Sequence, residues 1–296
     1  MRRPSLFLIG LLLTAGPGAN AADLAARMEA LAAPARGHVG AAVRLLEAGE
    51  SAAFHGDERF PMQSVYKMAI AMAVLRDVDG GRLGLDQLVR VEKRDLLPLS
   101  FHRPIRDRHP QGDVDLSLRE ILRLAVSESD GTASDVLLRL AGGPERVSAY
   151  LVGLGVRSLM VATTEMEMDR GPRVQYRNWA TPRGAVALLS ALHEGRGLSA
   201  ESRELLLRFM TETGTGPHRI KGRLPEGTVV AHKTGTSATS GGLTRATNDI
   251  GIVALPDGRH LALSVFVSDS KANEVTREGV IAEIARAAWD ELQSPR

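Results

Sequence analysis

Ser64-Val65-Tyr66-Lys67 carries the first chemical suggestion in this chain. A lysine three residues after a serine on a helix lies one turn away, on the same face. Its amine is one means of making a weak alcohol nucleophilic without a histidine. Three further signals follow in order: Ser129-Asp130-Gly131, Glu165 and Lys233-Thr234-Gly235. None is specific alone. Roughly one S-x-x-K match arises by chance in a chain of this length. Ser268-Asp269-Ser270-Lys271 is a second match, and it closes an apolar, strand-like run where a polar loop is expected. Lys-Thr-Gly is rarer, with roughly a one-in-ten chance of appearing. Order, spacing and local structure give the four together their weight.

The elements that must position these residues fall into two kinds. Ser64 to Val78 is apolar at Met68, Ala71, Met72 and Leu75, a helical spacing that buries one face, and Gly80-Gly81 ends it. Further helices are expected at 117–126, 133–140, 145–154, 181–194 and 199–210, the last two opened by Thr181-Pro182 and Leu198-Ser199. A first helix is expected from Asp23 to Ala33, then a strand over His38 to Leu46 and a second after the turn at Ala48-Gly49. Beyond residue 225 the runs 228–234, 249–255 and 260–267 are rich in valine, isoleucine and leucine. Pro256-Asp257-Gly258 joins the last two as a hairpin. The chain closes with an amphipathic helix bearing Val280, Ile281, Ile284, Ala288 and Leu292 on one side. Strands at both ends and helices between them predict an α/β (α+β) fold, in which an antiparallel sheet is built from both termini and flanked by helices. The expected partition is an α/β domain over 22–61 and 213–296, with an all-helical domain over 62–212.

The 296 residues suffice for one large or two interlocked domains with a sizeable core. Residues 1–21 have the form of a secretory leader: Arg2 and Arg3, the apolar stretch Leu6 to Leu13, then Ala19-Asn20-Ala21 as a small-residue cleavage site. The apolar stretch is shorter than the roughly 20 residues that span a bilayer. Cleavage removes two arginines and no acids, leaving 35 basic and 35 acidic side chains. That balance argues against a nucleic-acid or polybasic membrane role. Arg103, Arg106 and Arg108, among histidines and prolines, are expected in a solvated loop. The chain has no cysteine, so no disulfide and no lipidated N-terminal cysteine. Its eight histidines show neither H-x-H nor H-E-x-x-H spacing, and no catalytic zinc is expected.

From about residue 22 onward the chain resembles the class A serine β-lactamases, most closely their extended-spectrum PER-like branch. The residues behind this are 60–64 (Phe-Pro-Met-Gln-Ser), 126–130 (Val-Ser-Glu-Ser-Asp), Val174-Gln175-Tyr176 with Asn178-Trp179, and 219–222 (Arg-Ile-Lys-Gly). Segments 231–236 (Ala-His-Lys-Thr-Gly-Thr) and 247–251 (Thr-Asn-Asp-Ile-Gly) complete the match. S-x-x-K with S-D-x and K-T-G is the shared mark of these enzymes and of penicillin-binding proteins. The resemblance implies a β-lactamase/transpeptidase-like fold, a small-molecule β-lactam substrate, no cofactor, a periplasmic monomer and no membrane attachment after leader cleavage.

It also implies roles. Ser64 would attack the lactam carbonyl, Lys67 would share its proton network, and the N–H groups of Ser64 and Thr236 would form the oxyanion hole. Ser129 would pass a proton to the departing nitrogen. Lys233, Thr234, Gly235 and Thr236, helped by Arg219, would hold the substrate carboxylate. Glu165 would activate the deacylating water, a contribution of roughly 10²–10⁴ in rate; that base separates turnover from a dead acyl-enzyme. Four positions depart from the family pattern. Gly131 replaces an asparagine that contacts the substrate amide, and Asp169 replaces a residue that helps to hold the water. Thr163 and Asn178 replace an arginine–aspartate latch, and the stretch Thr236 to Asn248 is extended, which would widen the site for bulky cephalosporins. Gln63 and Ser237 cannot form the disulfide of some carbapenemases, so poor carbapenem turnover is expected. A D-alanyl-D-alanine peptidase and a non-hydrolytic lactam sensor are the alternatives.

Overall fold

The computed structural model describes residues 19–49, 51–98 and 102–293. The leader expected over 1–21 lies almost wholly outside them, and the first helix begins at Ala19. In chain order the helices are α1 (Ala19–Ala32), α2 (Tyr66–Asp79), α3 (Pro104–Arg108), α4 (Leu118–Val126), α5 (Gly131–Leu140) and α6 (Pro144–Gly153). They continue with α7 (Glu165–Met168), α8 (Pro182–His193), α9 (Ala200–Thr211) and α10 (Glu274–Leu292). The strands are β1 (His38–Leu45), β2 (Ser51–Phe54), β3 (Phe60–Pro61), β4 (Leu88–Val91), β5 (Val114–Ser117), β6 (Leu159–Met160) and β7 (Trp179–Ala180). After them come β8 (Val230–Thr236), β9 (Thr239–Ser240), β10 (Leu243–Thr244), β11 (Thr247–Ala254) and β12 (His260–Ser268).

The main sheet is antiparallel, in the order β2-β1-β12-β11-β8, so it draws on both ends of the chain as the sequence predicts. Alternation along β12 explains its continuous apolar run. Leu261, Leu263, Val265 and Val267 face one core, shared with Met28 of α1 and with Ile281 and Ile284 of α10. Ala262 and Phe266 face the other core, built with the helical layer. A strand covered on both faces has no polar side to show. The region 62–212, expected to be all helix, also carries the β4–β5 ribbon and the β6–β7 pair, to which β3 adds from the preceding segment.

Three expectations are corrected. The helix after Ser64 does not bury one face only: Tyr66 through Leu75 are all buried, because α2 is enclosed by α4, α5, α6 and α9. The strand that carries the Lys-Thr-Gly triplet, expected over 228–234, starts at Val230 and does not end at Thr234; β8 runs on to Thr236, held by pairing with Thr247 of β11. The arginine cluster is not a loop: Pro104–Arg108 form a short helix that Arg103 precedes, although Arg108 stays half exposed. Arg106 donates to Leu97 O (2.5 Å) and Arg108 pairs with Glu128 (2.5 Å). The second S-x-x-K is structural: Ser270 is buried, and its hydroxyl bonds Ala35 O.

Candidate active site

Ser64 sits in a 3₁₀ turn (Gln63–Val65) that opens into α2, and Gln63 before it has a left-handed φ of 47°. The sheet is brought to this turn by Asn248, whose amide donates to Pro61 O (2.8 Å) and Met62 O (3.1 Å). Gly235 makes the approach possible. A Cβ there would lie 2.2 Å from Met62 O and 3.3 Å from Gln63 Cβ, so only glycine lets β8 run alongside the serine turn. Thr236, next along β8, therefore reaches the same cavity as Ser64.

Lys67 is 2% exposed and lies on α2 one turn beyond Ser64. Its ammonium donates to Ser129 O (2.7 Å) and pairs with Glu165 Oε1 (3.0 Å). Lys233, fully buried on β8, donates to Ser129 Oγ (2.9 Å) and Thr234 O (3.2 Å). Burial, and then the positive charge of Lys67, push the Lys233 amine well below its usual pKa. Ser129 adopts a φ of 58°. Asp130 fixes that bend by capping α5 through Ala133 N (2.7 Å) and by accepting from Ile105 N (2.7 Å).

Glu165 opens α7, capped by Thr164 in a reciprocal box with Glu167. The N–H groups of Glu165 and Met166 are received by the two oxygens of Asp135 on α5, at 2.8 and 2.9 Å. Burial, and then the charge of Glu165, raise the Asp135 carboxyl to about 7. The latch between positions 163 and 178 is an amide clasp and not an ion pair. Asn178 accepts from Ala162 N (2.7 Å) and Thr163 N (3.0 Å) and donates to Thr163 O (2.9 Å). Thr163 Oγ1 in turn donates to Glu167 (2.6 Å).

A cavity of about 350 Å³ gathers Ser64, Lys67, Ser129, Gly131, Glu165, Asp169 and Thr236. An adjoining recess is bounded by Ser64, Ser129, Thr234 and Thr236. Arg219 is 3% exposed and does not face the cavity directly. It pairs with Glu278 (2.9 Å), donates to Asn248 O (2.9 Å), and reaches Thr236 Oγ1 (2.8 Å). Asp169 is exposed at the end of α7, on the cavity wall. The extended stretch after Thr236 folds as the β9–β10 hairpin and contributes Ser237, Ala238, Ser240 and Arg245 to the wall. Sequence patterns did not single out Asp135, Leu97, His102 or Thr215. His102 borders both recesses, and Thr215 shares a 2.6 Å hydrogen bond with Thr234. None of the four stands in a motif, and only the folded chain places them here.

A five-stranded antiparallel sheet against a helical layer, with a serine, two lysines and a carboxylate converging at their seam, defines a serine hydrolase of the β-lactamase/transpeptidase-like fold. The model of the β-lactamase enzyme family matches residues 23–292, and the chain belongs to that family. Extended-spectrum β-lactamase PER-1 of Pseudomonas aeruginosa is 43% identical over 232 residues, covering 78% of this chain and 75% of the relative. β-Lactamase VEB-1 of the same organism is 36% identical over 293 residues, 98% of this chain and 97% of its own. The crystal structure of a β-lactamase from Chitinophaga pinensis superposes with a TM-score of 0.88 at 50% identity, covering 90% of this chain and 98% of that one. The chain is a class A, PER-like serine β-lactamase.

Proposed function

We propose that this enzyme hydrolyses penicillins and cephalosporins, those with bulky side chains included, through an acyl-enzyme on Ser64. The Ser64 hydroxyl attacks the lactam carbonyl carbon, and the oxyanion is received by the N–H groups of Ser64 and Thr236. The proton of Ser64 passes to the Lys67–Glu165 pair. Breakage of the C–N bond sends the electron pair to nitrogen, which takes a proton from Ser129. Lys233, 2.9 Å from Ser129 Oγ, favours that transfer and, with Thr234 and Thr236, attracts the substrate carboxylate. Arg219 orients Thr236 for the same purpose. Water activated by Glu165 then cleaves the ester and restores Ser64. Asp169, on the same wall, would help to place that water.

One observation carries this reading: a buried carboxylate, Glu165, lies 3.0 Å from Lys67 on the wall of the cavity that holds Ser64. A peptidase sharing the serine–lysine chemistry has no need of that acid. The hairpin at the cavity mouth supports a broad cephalosporin range, as does the likeness to a relative named extended-spectrum. Action in the periplasm rests on the leader at residues 1–21, and no helix among the described residues is long and apolar enough to cross a membrane. Glu165→Gln is expected to acylate and then stall. Mass spectrometry after brief exposure to a cephalosporin should find a lasting adduct on Ser64, and an adduct-free protein would overturn the assignment. Purified native protein should turn over a chromogenic cephalosporin many times; a single equivalent of colour would favour the peptidase or sensor.

A further inference from the structure

Away from the cavity, Glu47, His193 and His260 meet although they are far apart in sequence. Glu47 lies in the turn after β1, His193 ends α8, and His260 opens β12. Glu47 Oε1 is 2.8 Å from His260 Nδ1 and 3.5 Å from His193 Nε2, and one ligand atom from each residue lies within 4.8 Å of the others. A tetrahedral zinc site with bonds of about 2.0–2.2 Å places its ligand atoms roughly 3.3–3.6 Å apart. The His193–Glu47 distance falls within that range and the His260–Glu47 distance is shorter, so side-chain rotations that open the latter would complete the site.

We propose that these three residues form a structural site for a divalent transition metal of the zinc class, with water as the fourth ligand. Two imidazoles and one carboxylate are a donor set that suits zinc, nickel or copper better than magnesium or calcium. The carboxylate is already oriented: its second oxygen accepts from His260 N at 2.8 Å, the kind of outer support that metal ligands require. His193 and His260 are partly buried, whereas Glu47 is exposed and held by its two contacts to His260. Bound metal would pin the C-terminal end of α8 to the end of β1 and the start of β12. His260 pairs with Ala254 at one end of β11, whereas Thr236 pairs with Thr247 at the other. That separation is roughly 24 Å along the strand, so the site acts on stability and not on the reaction.

The full chain, stripped with chelator, is titrated with Zn²⁺ by calorimetry and with Co²⁺ by visible absorption. One equivalent of saturable binding, a tetrahedral cobalt spectrum and a rise in Tm of a few degrees are expected. Glu47→Gln and His193→Asn should each weaken binding by roughly tenfold or more, with circular dichroism unchanged as the control for folding. Absence of saturable binding overturns the proposal, as does binding that both variants retain. Binding lost in His38→Asn instead would place the metal at His38, His55 and Glu58, and would equally overturn it.

Discussion

Gly131 admits a test in which packing and helix propensity predict opposite signs. It is the first residue of α5, where alanine would ordinarily be neutral or stabilising by up to about 1 kcal/mol. A Cβ at this position would lie 2.3 Å from Leu97 Cδ1, against about 3.5–4.0 Å for an ordinary carbon contact. Relief requires a shift of roughly 1.2–1.7 Å. The backbone of Leu97 is fixed, so its side chain must turn within a packed surrounding to give it. The residue is fully buried, its N–H is held by Thr132 Oγ1 (3.2 Å), and its carbonyl is held by Arg106 (2.5 Å). Overpacking of this kind costs about 1–3 kcal/mol, so Gly131→Ala should lose roughly 1–2 kcal/mol net, or about 2–8 °C in Tm. The residue next in line, Glu165, would meet the new atom only at 3.5 Å, an ordinary contact. The decisive comparison is a four-protein cycle with Leu97→Ala, followed by thermal unfolding. Truncating Leu97 costs about 2–5 kcal/mol by itself, but it removes the clashing atom. Gly131→Ala should then become neutral or stabilising, a coupling of about 1–3 kcal/mol. A rise in Tm for Gly131→Ala in the native background, or the same change in both backgrounds, would refute the packing account. It would also reopen the asparagine of the family pattern as a harmless replacement.

Gly235→Ala is expected to push β8 away from Met62 O and so displace the Thr236 N–H, lowering kcat by about 10²–10³ with a smaller change in KM; an unchanged kcat would discount the close approach. Asp135→Asn tests the raised carboxyl. Because the folded chain keeps this proton up to about pH 7 while the unfolded chain releases it near 4, the stability it contributes is complete below about pH 4 and is lost as pH rises through 7. The Tm of the native protein minus that of the variant should therefore fall between pH 4.5 and 8, and a flat difference would contradict the shift. Imipenem should be turned over poorly beside a bulky cephalosporin, since Gln63 and Ser237 share the cavity wall without a covalent tie; efficient imipenem hydrolysis would overturn this.

Much of the fold was legible because both signals behind it are local. Local patterns marked α8 and α9 to within a residue or two, the apolar face from Val280 to Leu292 marked α10 without fixing its start, and β-rich runs marked β11 and β12. Caps such as Thr181 and Ser199 act within their own turn, which is why they could be read directly. The all-round burial of α2 was not legible, since its alanines at 69, 71 and 73 are compatible with either a surface or an interior. Tertiary packing decides such cases. The same holds for the site. The motifs named Ser64, Lys67, Ser129, Glu165 and Lys233, and these meet in one place. Asp135 and Leu97 had no signal of their own: each acts through a neighbour that the fold brings to it. Asn178 could be seen to replace a charged latch, but its bonds to the backbone of Ala162 and Thr163 follow only from the fold.

What assembles the site is close approach of backbone more than reach of side chains. The glycines of the two downstream motifs both stand where a Cβ would collide, Gly131 with Leu97 and Gly235 with Met62 O. Ser129 is bent into a left-handed conformation that costs a non-glycine residue roughly 1–2 kcal/mol. Such a bend persists only when its surroundings over-determine it. Here its carbonyl is taken by Lys67, its hydroxyl by Lys233, and the following carboxylate by two backbone N–H groups. The two lysines thus hold Ser129 in place as well as supplying charge. Removing either cation would release the bend along with its proton network, so the loss of rate from a lysine variant should exceed what its charge alone would account for.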